Sequence, residues 1–358
     1  MSQYDLLLAG AGHAHLGVLR RWALVERPPG RIALLSPGPE AWYSGMLPGL
    51  LAGRYAAADC RLELQPLCRA AKVELIEGEI AALDATSRQV ELADGRRLAA
   101  EWLALNVGAA VAAPPQQGDA MQLLAVKPFA GFLAGWQQWQ AEPRCLAILG
   151  GGAAGVELAL ALTGQVPALA LFCAGPLLAG HAPGLRLRAL GHLRQRGVQV
   201  REHCPIGRIE DDWLLSGDEP VWRGRRLLLA SGARPWPWLA ASGLACDDAG
   251  FVAIRPSLQS QSHAQLFAVG DCASLAGARR SGVYAVRQGP VLAANLQAAL
   301  QGRPLRQYRP QRHSLALLAT GDGGALLAWH DWSAGGQFYG RCKDWLDQRF
   351  IQRHRLVG

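Results

Sequence analysis

Two glycine clusters carry most of the chemistry that can be read in this sequence. Gly10-Ala11-Gly12-His13-Ala14-His15 follows the apolar run Leu6-Leu7-Leu8-Ala9, and Gly150-Gly151-Gly152-Ala153-Ala154-Gly155 follows Leu146-Ala147-Ile148-Leu149. A strand that ends in such a cluster and passes at once into a helix is a cradle for a pyrophosphate. The first glycine makes the tight turn, the second lets backbone approach the anion, and the helix start offers free N–H groups and a positive dipole end. The second cluster satisfies G-x-G-x-x-G in full, from Gly150 through Gly152 to Gly155. The first departs at its third position, where His15 replaces the glycine that brings helix and strand together; Gly17 is the nearest residue able to share that role.

The elements that must position these turns recur in the same order. In the first unit a helical stretch runs to about Glu26 and a second strand follows at 31–35, ending at Ser36, where an acidic residue is usual. Then come Gly78 to Asp84, the alternating Val90 to Ala93 with the hairpin signal Asp94-Gly95, and a strand from Trp102 that ends in Asn106-Val107-Gly108. In the second unit the helix from Val156 leads to a strand at 168–172 that ends in Cys173-Ala174-Gly175. Val198 to Val200, Gly207 to Glu210 and a strand from Leu227 ending in Ser231-Gly232 complete it. This is one nucleotide-binding plan used twice, about 140 residues apart. The fold class is therefore α/β, with two Rossmann-like dinucleotide-binding domains. A further short strand, Leu266 to Val269, delivers Gly270-Asp271. A helix from about Gly282 to Leu300 follows, which Pro290 is expected to kink or restart.

Composition narrows the class. At 358 residues, half of them apolar, the chain suits about two domains of ordinary size. From Cys145 to Gly180 the only charge is Glu157, yet the glycines and Pro167 there read as strand, turn, helix and strand rather than a membrane span. The net charge of +8 is carried by scattered arginines, the lysines being only Lys72, Lys127 and Lys343; no nucleic-acid module is visible and no nucleic-acid partner is expected. The eight cysteines form no C-x-x-C and read as small core residues, not a disulfide framework or zinc site. No metal is expected, His13 and His15 serving phosphate and packing. The first residues lack the basic flank of a signal peptide, and a cytoplasmic protein is expected.

These parts resemble the two-dinucleotide-binding-domain flavoproteins, the pyridine nucleotide-disulfide oxidoreductase superfamily. Within it the chain looks most like the type II NADH dehydrogenase and sulfide:quinone reductase branch, and closest to the flavoprotein domain found fused to selenide, water dikinase. Besides the first glycine turn, the residues that carry this are Tyr43-Ser44-Gly45-Met46-Leu47-Pro48-Gly49, Val126-Lys127-Pro128 and Ser281-Gly282-Val283-Tyr284-Ala285-Val286-Arg287-Gln288-Gly289-Pro290. The resemblance implies FAD at the first unit. Gly10, Gly12, His13 and Ala14 would hold its pyrophosphate, Ser36 its adenosine ribose and Ile80 its adenine. Gly108 would close over it, and Gly270 and Asp271 would meet the ribitol chain. The helix starting at Gly282 and Val283 would turn its positive end toward the flavin. The second unit would hold NAD(P)H through Gly150, Gly152, Ala153 and Gly155, with Gly232 at the facing strand end and Glu157 toward the nicotinamide. Cys173-Ala174-Gly175 offers neither the acid that marks NAD nor the arginine that marks NADP, so the choice between them stays open.

The implied domains are a discontinuous FAD-binding domain at 1–112 and 247–310, an NAD(P)-binding-type domain at 113–246, and a small C-terminal cap or interface segment at 311–358. Lys127 is the one cation placed near the flavin or acceptor, and the Tyr43 to Gly49 segment, with Ser44, lines the flavin or acceptor site. The superfamily's vicinal cysteine pair is missing, which argues against cysteine redox catalysis. The leading function is an FAD-dependent enzyme that takes electrons from NAD(P)H and passes them to a quinone or other small acceptor. Two alternatives are a soluble reductase of selenium or sulfur species, and a flavin-binding redox sensor whose second nucleotide site is idle. The tail interleaves Trp329, Trp332, Phe338, Tyr339, Trp345 and Phe350 with arginines, and residues 341–354 have helical spacing. This is an amphipathic end for peripheral membrane contact at the inner face of the membrane, for capping the flavin domain, or for a homodimer.

Overall fold

A computed structural model describes residues 2–25, 27–142, 144–278, 280 and 282–355. The strand Ser2–Ala9 lies at the centre of the first sheet, parallel to Ile32–Ser36 on one side and to Arg97–Leu105 on the other. Leu6, Leu7, Leu8 and Ala9 are all fully buried, so both faces of this strand are covered. That explains an unbroken apolar run where a half-exposed strand would alternate. Glu74–Glu77 extends the sheet beyond Ile32–Ser36, and the antiparallel hairpin of Ile80–Asp84 and Gln89–Leu92 extends it beyond Arg97–Leu105. Gly95 takes φ +84° in the hairpin turn that Asp94-Gly95 predicts. Leu266–Ala268 returns much later in the chain to pair with Leu103 to Leu105.

The second sheet repeats the plan. Leu146–Leu149 runs parallel between Leu169–Phe172 and Arg226–Leu229, with Gln122–Ala125 and Gln199–Arg201 at the edges. The charge-poor stretch after Cys145 is thus a buried strand, the helix Ala153–Leu162 and a second buried strand. Among the described residues no helix is long and apolar enough to cross a membrane. A separate four-stranded sheet carries Gln116–Gln117, Arg208–Glu210, Trp213–Ser216 and Glu219–Arg223. The C-terminal segment is a three-stranded antiparallel sheet of Ala316–Ala319, Ala325–Trp329 and Trp332–Gly336, closed by the helix Gln337–His354.

Three local expectations change. The helix Gly282–Leu300 does not restart at Pro290 but continues through it, the residue costing one backbone donor. Gly17 does not take over the role of the missing third glycine. A Gly17 Cβ would lie an ordinary 3.9 Å from the Gly289 Cα, whereas one on Gly289 would come to 3.1 Å from the Ala14 carbonyl oxygen, so Gly289 sets how closely the helix His13–Leu24 crosses Gly282–Leu300. At the third position His15 fills the gap, fully buried, with its Nδ1 2.6 Å from the Gly10 carbonyl oxygen. The tail helix is also longer than expected, beginning at Gln337 rather than Arg341. Glu26, Ser281 and the last residues of the tail, 356–358, lie outside the described residues.

Candidate functional site

The first glycine turn is built around a side chain that the motif does not contain. Gly10 takes φ +91° and Gly12 precedes the helix His13–Leu24 in extended conformation. Asn106, at the end of the neighbouring strand and 4% exposed, accepts hydrogen bonds on Oδ1 from the Ala14 and His15 amides (3.0 and 3.2 Å). Its Nδ2 donates to the Val269 carbonyl at 3.0 Å. A Cβ on Gly10 would fall 2.6 Å from the Asn106 carbonyl oxygen, and one on Gly12 would strike the Asn106 side chain. Asn106 therefore caps the helix from outside and ties three chain segments together. It also occupies the Ala14 amide, one of the groups expected to face a pyrophosphate.

Gly270 and Asp271 arrive at the same place. Gly270 has φ +72°, its amide donates to Gln288 Oε1 at 2.8 Å, and a Cβ there would fall 2.6 Å from Asn106 Nδ2. Asp271 pairs with Lys127, Oδ2 to Nζ 2.6 Å. His13 sits within reach of both charges. Burial is the main force on it and holds its imidazole well below the ordinary histidine range, at about 4; Asp271 opposes that shift and Lys127 adds to it. Burial alone does the same to His15, against the pull of its bond to Gly10, and also gives a value of about 4. Both rings are neutral at physiological pH. Gly282 and Val283 open their helix exposed, Gly108 has φ +67° with open space around it, Ser36 is buried at the end of its strand, and Ile80 opens the hairpin half-buried. Gly10, Ser36, Gly108 and Gly270 all stand at the ends of strands that finish at one edge, beyond Ala9, Leu35, Leu105 and Ala268, a crevice of the kind in which open α/β sheets bind ligands.

The second turn is more open. Gly150 takes φ +136°, and a Cβ on Gly155 would collide with the Gly150 carbonyl, so this third glycine is required by close packing. Gly152 precedes Ala153–Leu162 with no side-chain cap and with nothing within 4 Å of a Cβ placed on it. Gly232 likewise faces open space. The uncapped helix start and the empty room before it fit a dinucleotide pyrophosphate. At the ribose end Cys173 is buried and its thiol is pushed up to about 12, chiefly by burial, so it offers no charge.

Glu157 is committed to a neighbour that sequence reasoning did not foresee. Its Oε1 accepts from the Ala319 amide at 2.8 Å and lies 3.7 Å from Lys343 Nζ. Lys343, on the C-terminal helix, also donates to the Gly45 carbonyl and to Asp347 Oδ2, both at 3.0 Å, and Tyr43 Oη donates to Asp347 Oδ1 at 3.2 Å. Burial raises the Glu157 and Asp347 carboxyls above the usual range, with Lys343 holding both down. Phe350 stacks on Tyr43 with ring centres 4.3 Å apart, and both rings lie 5.4 Å from His13. The segment Tyr43 to Gly49 is thus clamped between the first glycine turn and the tail helix, with Ser44 exposed. The cleft between it and the cap offers about 10 Å³, room for a single water. Asn106, Lys343, Asp347 and Phe350 are the residues sequence reasoning missed. The only signal for Asn106 was its place at a strand end, Phe350 stood in the aromatic tail read as a cap or interface, and nothing local marked Lys343 or Asp347.

Two Rossmann-type units, each presenting a glycine turn at the C-terminal edge of a parallel sheet, define a dinucleotide-binding fold used twice in one chain. The chain belongs to the pyridine nucleotide-disulphide oxidoreductase family, whose model matches residues 4–295. A curated relative, Fe-regulated protein 8 of Mycosarcoma maydis, is 27% identical over 267 residues, which are 66% of this chain and 65% of the relative's length. Among solved structures, the sulfide:quinone oxidoreductase of Aquifex aeolicus superposes with a TM-score of 0.80 at 16% identity, over 99% of this chain and 92% of that one. The water-forming NADH oxidase of Lactobacillus brevis gives 0.75 at 18% identity, over 92% and 75%. At such identities the structures show a shared fold.

Proposed function

We propose that this chain is an FAD-dependent NAD(P)H oxidoreductase that delivers electrons to a quinone or another small acceptor. The observation that carries the reading is the pair of glycine turns, each at a strand-to-helix junction of one chain, with Lys127 of the second unit's segment bonded to Asp271 of the first. Bound FAD and NAD(P)H supply the hydride chemistry. The protein's part is to bind and orient. Gly10, Gly12, His13 and Ala14 line the first phosphate cradle, with the Ala14 amide held by Asn106 and not turned to the anion. Ser36 and Ile80 serve the adenosine end, and Gly108, Gly270, Asp271, Gly282 and Val283 surround the ribitol and flavin. Ser44 borders the same region, and Lys127 places a positive charge beside it. Gly150, Gly152, Ala153, Gly155 and Gly232 form the second cradle, and Glu157, held by Lys343, flanks it. The division at 1–112 with 247–310, 113–246 and 311–358 belongs to this proposal, as does a place on the type II NADH dehydrogenase and sulfide:quinone reductase branch, near the flavoprotein domain fused to selenide, water dikinase.

We also assign the acceptor side to a membrane surface touched by a cytoplasmic protein. The support is the exposed aromatic face of the cap: Trp332, Phe338 and Trp345 are 57%, 68% and 56% exposed, beside Arg341 and Arg349. Flotation with anionic liposomes tests this, and failure to co-float, with a dimer in solution instead, would transfer that face to a second copy. The oxidoreductase reading is tested by mixing the purified FAD-loaded protein anaerobically with NADH and, separately, NADPH. Bleaching of the flavin band by one of them is expected. No bleaching by either, with dithionite still able to reduce the flavin, would overturn it.

A further inference from the structure

At the opposite end of the second sheet from the glycine turn lies a cavity of about 120 Å³. Leu146 and Arg226 line it as the first residues of their strands, whereas Gly150 and Ala230 follow the far ends of the same strands. Trp136, Trp139, Val166, Arg144 and two neutral amides, Gln140 and Gln165, complete the wall, the Gln165 amide donating to the Leu51 and Ala161 carbonyls. The indoles of Trp136 and Trp139 are 6% and 8% exposed and meet edge to face, 6.5 Å between centres, making a fixed apolar corner. An apolar cavity of about 150 Å³ is enough to hold a benzene ring, so this one suits a single ring or slightly less.

The polar part of the wall is unbalanced. Arg226 is 7% exposed, and its Nη1 donates to the Trp139 and Glu142 carbonyl oxygens at 2.6 and 2.5 Å. Its Nε is buried with no partner, and among the described residues no carboxylate forms an ion pair with it. The second cation, Arg144, is bound among the described residues to the exposed Glu142 at 2.6 Å. Burial and the nearby Arg144 lower the Arg226 guanidinium from its ordinary value, and Glu142 offsets this in part. A buried guanidinium with a donor to spare is costly until an anion reaches it.

We propose that this cavity binds a small aromatic monocarboxylate, with its ring in the Trp136–Trp139 corner and its carboxylate taken by Arg226 and Arg144. Its position at the N-terminal edge of the second sheet sets it at the far end from that unit's glycine turn, so the ligand is an effector and not a substrate there. The probe is benzoate, titrated calorimetrically into the FAD-loaded protein, with benzyl alcohol as its neutral counterpart. One-to-one binding at about millimolar affinity or tighter is expected for benzoate, undisturbed by NADH, and about tenfold weaker for benzyl alcohol. Arg144→Gln, at an exposed position, should weaken benzoate about fivefold, and Val166→Trp should abolish binding by filling the space while flavin retention stays unchanged. Benzoate binding that survives both substitutions, benzyl alcohol bound as tightly as benzoate, displacement by NADH, or no heat at about 20 mM ligand would each overturn the proposal.

Discussion

Lys127 Nζ lies 2.6 Å from Asp271 Oδ2, across 144 residues of sequence, and the carboxylate is the more buried partner. The pair joins the segment that leads into the second unit to the loop that completes the first. Removing the lysine charge with Lys127→Met takes a cation away from the proposed flavin site. The two-electron midpoint potential of the bound flavin should then fall by about 20–30 mV, where 30 mV is ~1.4 kcal/mol. A potential unchanged within a few millivolts by dye equilibration would remove Lys127 from the electrostatics of that site.

Asn106→Ala should cost more than an ordinary polar substitution. It deletes the acceptor of two helix-start amides and the donor to Val269, all buried. The expected loss is about 3 kcal/mol, with weaker FAD retention after gel filtration. Denaturant unfolding of the apoprotein separates the stability effect from the loss of cofactor.

Two glycines of the second cradle should respond differently to one methyl group. Gly152→Ala meets open space and should leave the melting temperature and FAD content unchanged while slowing bleaching by NAD(P)H about tenfold. Gly155→Ala drives a Cβ into the Gly150 carbonyl and should destabilise the fold itself. Comparing thermal melts of the two variants with their stopped-flow reduction rates checks both halves.

His15 gives a pH signature of folding. Its native value of about 4 lies below the unfolded value of 6.5, so the unfolded chain binds the extra proton first. Its contribution is fully present above pH 6.5 and is lost as pH falls toward 4, by up to about 1.4 kcal/mol per pH unit. His13 adds to the same slope in the absence of FAD. Stability of apoprotein carrying His15→Gln should depend less steeply on pH across that window than wild type.

Lys343→Met should leave Glu157 and Asp347 facing each other without their cation. Breaking such a buried pair costs about 3 kcal/mol. Both native carboxyls are already raised, so the defect should be largest at high pH and shrink as pH falls and they protonate. Glu157→Gln in the same chain should recover part of the loss. Urea midpoints at pH 5.5 and pH 8.5 measure it.

The strand, turn and helix order was legible because it is local: continuous apolar runs mark strands covered on both faces, and glycines mark where backbone must turn or approach. The duplication and both cradles followed from that. What could not be read is the part made by contacts distant in sequence. Asn106 reaches Ala14, Lys343 reaches Gly45, and Phe350 reaches His13, each over 90 residues or far more. Glu157 was placed toward the nicotinamide by family resemblance alone, and its bonds to Ala319 and Lys343 of the C-terminal segment were not legible in the sequence. Pro290 shows the complementary limit: the restart that a local rule allows there does not occur within the 19-residue helix.

The interleaving of the first sheet has a consequence for how the molecule assembles. Leu266–Ala268 pairs with Leu103 to Leu105, and the whole second sheet lies in the stretch of chain between them. The second unit can close on contacts within its own continuous stretch, whereas the first must wait for a partner strand about 160 residues downstream. During synthesis the inserted unit is therefore the one to fold early, and the outer unit stays an open half-shell until the returning strand arrives.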